Sequence, residues 1–147
     1  MEKLPPIEKI PEAYSALSEG RVTISEEENE AHVLSSDKAK NYTVKWEGTH
    51  YTSNDSATYW AGYPGYPVLA VWMKQGILPY CEETANLFKG VNWNEINRRY
   101  KRNYAKALNE VMEERQMEKE SVQAEMEQVY EVIRTLPYTV GRGKGKP

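Results

Sequence analysis

The longest apolar run in the chain is VLAVWM at residues 68–73, followed by only two polar positions, Lys74 and Gln75, before Gly76. Pro67 suits the first position of a helix and Gly76 the residue just past its end, so the pattern predicts a short helix over 67–75. A helix that is apolar on nearly every side is buried all round, with neighbours on more than one face. The stretch 59–80 around it also carries six of the sixteen aromatic side chains. Aromatic side chains bury the most area per residue and dominate core energetics. The core is expected to form here.

Upstream the periodicity changes. Residues 11–19 read as a helix, with Pro11 at the start, Gly20 past the end, and Ile10, Tyr14 and Leu17 on one face. Residues 21–25, 31–35, 41–46 and 49–52 then read as strands. In the third of these, Tyr42, Val44 and Trp46 alternate with Thr43 and Lys45, the mark of a half-buried strand. Glu47-Gly48 makes a tight turn into the next strand. The expectation is a small antiparallel sheet of three to four strands over residues 21–52, packed against the buried helix. The tandem GYPGYP at 62–67 suits a tight, aromatic-lined loop leading off the sheet.

Downstream the chain turns helical. Residues 79–89 carry Glu82 and Glu83 at the start and Lys89 at the end, which complements a helix dipole, with Cys81, Ala85 and Phe88 as the apolar stripe. Asn92, with Glu95 three residues on, caps a last and very long helix over 93–136, a span with neither Gly nor Pro. Ile96, Tyr100, Tyr104, Ala107, Leu108 and Val111 share one face. Val122, Met126, Val129, Ile133 and Leu136 return on nearly the same face. Between them EERQMEKE offers only Met117. One unbroken helix would be ~65 Å long and overhang the domain. Either it projects and finds a partner, or it breaks within 113–121 and folds back. The picture is a single α+β domain over 1–137, with 138–147 as a flexible basic tail.

Composition sharpens this in three places. A chain of 147 residues fits one domain, and with 11 Tyr, 4 Trp and a single Phe much of the packing is done by polar-tipped aromatics. The longest apolar runs fall far short of a membrane span, and the first residues lack a basic-then-apolar leader, which points to a cytoplasmic protein away from membranes. Cys81 is the only cysteine, which excludes an internal disulfide and any cysteine-built metal site. The net charge of −3 is unevenly spread, with acids over 19–30 and bases over 98–106 and in the closing GRGKGKP.

Three readings of function stand open, in this order. The first is a non-catalytic binding or interaction module, self-associating as a homodimer through an interface of Val122, Met126, Val129 and Ile133. The second is a nucleic-acid binder. As a helix, residues 94–108 gather Arg98, Arg99, Arg102 and Lys106 on one arc opposite Tyr100 and Tyr104, and clustered cations hold phosphates. The third is a small-ligand binder or enzyme built on the Tyr/Trp cluster, with Trp46, Tyr51, Tyr63 and Tyr66 lining a pocket. His32 and His50, the only histidines, fall on predicted strands and read as structural. No catalytic constellation, metal-ligand spacing or cofactor motif stands out, so no catalytic residue, metal or cofactor is expected.

Overall fold

The alternation at residues 41–46 becomes the middle strand of a five-stranded sheet. The protein is described over residues 1–146 by a computed structural model. The strands run β1 (Val22–Ser25), β2 (Glu30–Leu34), β3 (Asn41–Glu47), β4 (His50–Ser53) and β5 (Thr139–Arg142), neighbours in that order. The first four form an antiparallel meander, and β5 joins β4 in parallel. The fold is α+β, as the sequence indicates, with one strand more than the three to four expected.

The extra strand comes from the segment read as a flexible tail. Tyr51 pairs with Val140 and Ser53 with Arg142. The glycines of GRGKG explain how it docks. A Cβ at Gly143 would stand 2.9 Å from the Ser53 carbonyl carbon, and the Gly143 N–H donates to Ser53 O at 2.9 Å. Only a residue without a side chain lets the backbones come this close.

Helices cover one face of the sheet, the one that buries Val22, Ala31, Val33, Val44 and Tyr51. The other face carries His32, Thr43, Lys45 and Thr52, none of them fully buried, the usual one-sided solvation of an antiparallel sheet. Against the buried face lies α2 (Tyr66–Lys74), in which Val68, Leu69, Ala70, Val71 and Trp72 are completely enclosed. Trp72 meets Tyr51 and Tyr138 edge-on at 5.6 and 5.7 Å between ring centroids. On α2 packs α1 (Lys9–Ser18), which also touches α3 (Glu82–Leu87). Of the stripe expected on α3, Ala85 and Phe88 are buried, whereas Cys81 precedes the helix and is exposed.

The span read as one helix is three: α4 (Trp93–Arg99), α5 (Tyr104–Glu114) and α6 (Lys119–Thr135). Asn92 caps α4 as expected, its side chain accepting from Glu95 N–H, and Asn103 repeats the device for α5 by accepting from Lys106 N–H. The first break turns through Lys101 and Arg102 at φ 51° and 66°, the second through Gln116 at φ 54°. The second falls inside 113–121, where the sequence allows a break.

Folding back has an energetic reason. It carries Val122, Met126, Val129 and Ile133 into the chain's own core, where each is at most 4% exposed. The stripe expected to form a dimer interface is therefore covered from within, by α1 and its neighbours. The N-terminal arm lies along α6 as well: the Met1 ammonium donates to Arg134 O and Leu136 O, and the Tyr130 hydroxyl to Pro5 O.

Candidate functional site

Beyond the end of the sheet, between the start of α1, the 55–66 segment and α4, opens a cleft of about 570 Å³. Two features of the local chain build it. The first is Asp55, just past β4, which is buried and acts as a cap. Its Oδ1 accepts from the Ser53 hydroxyl, and its Oδ2 accepts from Thr58 N–H at 3.1 Å. This anchors a short π-helical turn, Ala57–Ala61, a geometry that recurs at functional sites. Gly65 then passes so near that a Cβ there would lie 2.0 Å from Asp55 Oδ2. The second glycine of GYPGYP is thus a close-approach residue. Its N–H donates to the Thr58 hydroxyl at 2.9 Å, closing the loop.

The second feature is an ion pair on the first turn of α1. Lys9 Nζ lies 3.3 Å from Glu12 Oε2, with side chains 10% and 6% exposed. The ammonium also sits over the ring of Tyr104, 4.2 Å from its centroid. Burial holds the Glu12 carboxyl above its ordinary range, although Lys9 and the Asn97 side chain pull it down and Asp55 adds to the rise. For Lys9, burial pulls downward, but Glu12 and the phenols of Tyr104 and Tyr63 outweigh it and hold the ammonium above its usual value.

Aromatic walls complete the cleft. Tyr42, Tyr63 and Tyr66 line it, and burial raises all three phenols, so they stay protonated donors. Trp60 stands on the rim with 62% of its surface exposed. It is steadied by Tyr59, edge-on at 4.6 Å, and by the Arg142 guanidinium 5.5 Å from its ring. The Arg142 Nε–H donates to Tyr59 O at 2.9 Å, so β5 buttresses the rim. Asn94 and Asn97 of α4, and Arg102 at the corner beyond it, line the opposite side. α4 is held to the sheet by the β2–β3 loop. There the Asp37 carboxylate is drawn down to about 2 by the Ala39 N–H, the Ser35 hydroxyl and the Asn94 side chain.

The residues singled out from sequence divide. Tyr63 and Tyr66 reach the cleft; Trp46 and Tyr51 do not. Trp46 stacks on Tyr51 at 5.4 Å beside Trp72, and the Tyr51 hydroxyl donates to Gln75 Oε1, its pKa pushed up to about 12 by burial. The four cations of residues 94–108 do not lie on one helix, because the corner at Lys101 and Arg102 splits it into α4 and α5. Arg98 is exposed on α4, and Arg99 pairs with Glu110 at 2.6 Å. Arg102 turns to the cleft, and Lys106 lines a separate shallow groove with Glu110 and Glu113. His32 and His50 lie apart, beside Glu30 and Thr139 respectively. Among the described residues no group of three His, Cys, Asp or Glu side chains is placed to hold a metal ion.

Lys9, Glu12, Asn94 and Asn97 carried no signal in the sequence, since each reads as an ordinary polar position. Fold and site together define an α+β domain with a polar, aromatic-walled cleft at the end of a one-faced sheet. The chain belongs to the family described as uncharacterised conserved protein UCP014422, whose profile matches residues 2–139, every cleft-lining residue included. No curated protein and no solved structure matches it. Among the described residues no helix is long and apolar enough to cross a membrane.

Proposed function

We propose that the protein is a binding module whose recognition surface is this cleft, and that it seats a small polar molecule there. The observation that carries the reading is the buried Lys9–Glu12 pair at the base of the cleft. A buried ion pair is weak support for stability, since an apolar pair of similar volume serves the fold as well or better. A pair retained beside convergent amides, phenols and an exposed indole is what ligand orientation requires. The reading keeps the binding role expected from sequence and moves it from the α6 stripe to the cleft. The nucleic-acid reading supposed one helical face, whereas its four cations are divided among α4, the corner and α5. An exposed, unpaired Cys81 accords with a cytoplasmic setting.

The test is affinity selection. The full chain is equilibrated with a mixture of small polar metabolites and separated by size, and what it retains is read by mass spectrometry. A compound retained by the wild type and lost from a Trp60→Ala/Asn97→Ala variant supports the reading. Retention that is equal in both, or absent from both, contradicts it.

A further inference from the structure

The donors and acceptors on the cleft walls narrow the class of ligand. Resting on the reading of the cleft as a binding site, we propose that it takes a neutral saccharide, one ring lying on the Trp60 indole with adjacent hydroxyls on Lys9, Glu12 and Asn97.

Charge argues first. The formal charges of the lining side chains, Lys9 and Arg102 against Glu12 and Asp55, sum to zero, and the Lys9 ammonium is already engaged by Glu12 at 3.3 Å and by the Tyr104 ring. The backbone amides of the adjoining corner are spent as well. At the corner beside the cleft, Lys101 N–H donates to Arg98 O, Arg102 N–H to Asn97 O and Asn103 N–H to Tyr100 O, at 3.0, 2.8 and 2.9 Å. A phosphate or carboxylate ligand would meet the Arg102 guanidinium alone, without the cradle of convergent amides that such groups use.

Hydrogen-bond chemistry argues next. An ionised carboxylate only accepts, an ammonium only donates, and an amide side chain does both. Glu12, Lys9 and Asn97 set these three kinds side by side in a poorly hydrated site. Neighbouring hydroxyls on a ring, each donating once and accepting once, satisfy such a set without leaving a buried group unpaired. Trp60 is a large apolar ring left 62% exposed at the mouth of a polar cleft and braced by Tyr59 and Arg142. The C–H face of a pyranose covers an indole while its hydroxyls point to the polar walls.

The experiment is calorimetric titration of the full chain with neutral mono- to tetrasaccharides of gluco, galacto, manno and N-acetylhexosamine type, beside nucleosides and amino acids. The proposal expects a saccharide to bind, and Trp60→Ala and Asn97→Ala each to weaken it about tenfold without a matching loss of thermal stability. Binding of a nucleoside or amino acid, lost in the same variants and with no saccharide bound, overturns the saccharide class and leaves the cleft as the site. No binding by any of the three classes overturns both readings. Saccharide binding that ignores both substitutions places the sugar elsewhere and also overturns the proposal.

Discussion

Gly65 and Asp55 are mutually exclusive with any side chain at position 65, since a Cβ there would stand 2.0 Å from Asp55 Oδ2 and 2.8 Å from its carboxyl carbon. Gly65 has an ordinary negative φ of −73°, so the constraint is space and not backbone conformation. Gly65→Ala is expected to displace the carboxylate from Ser53 and Thr58, at a cost of about 1–3 kcal/mol. In an Asp55→Ala background the same substitution should cost markedly less. Denaturant unfolding of the four proteins of the cycle reads the coupling, and additive losses would contradict the account.

Lys9→Met leaves Glu12 buried without its cation. Removing one member of a buried pair costs roughly 3–5 kcal/mol near neutral pH. The sign with pH follows from Glu12, whose folded-state carboxyl already lies above its ordinary range because of burial. A group raised on folding gives its stability below the unfolded value and loses it as pH rises through the folded one. The variant is therefore expected to lose more stability at pH 8 than at pH 5, measured by thermal unfolding across that range. Lys9→Met/Glu12→Leu should flatten the dependence.

Trp72 is completely enclosed by α2's neighbours and touches two other aromatic rings. Trp72→Ala is expected to cost about 3–5 kcal/mol, read by chemical denaturation. A loss under about 1 kcal/mol would mean that the aromatic cluster does not centre the core.

The α6 stripe gives a prediction that separates core from interface. Met126→Ala and Ile133→Ala should each cost about 2–5 kcal/mol, with sedimentation showing no change in the association state of the folded protein. A variant that keeps its stability but changes its association would return the stripe to an interface role.

How much was legible varies with the range of the interaction. The helix of Pro67 and the apolar run that follows it is local, and so is the alternation from Tyr42 to Trp46; both are found where expected. β5 was not legible, because a short glycine-rich strand has no apolar pattern and its partner lies across the whole helical half. The breaks after α4 and α5 were missed or left open because Lys101, Arg102 and Gln116 take positive φ, where glycine is the usual signal. Asn103 did carry a readable cap, the same device as Asn92. In the cleft, Tyr63 was visible as an aromatic among turn residues. Lys9 falls before the helix read over 11–19, and Glu12 looks like a solvated position of its first turn, until the 55–66 segment and α5 close over them.

The central claim is that the cleft is where this protein meets its ligand. The most direct measurement is nitrogen-edited NMR of the full chain titrated with the compound that affinity selection retains, following the Trp60 indole N–H and the side-chain amides of Asn94 and Asn97. The account predicts that these three signals, with the backbone amides of residues 55–66, shift together and saturate with one affinity. Saturating shifts confined to the α5–α6 surface or to the open face of the sheet, with those three signals unmoved, would contradict it.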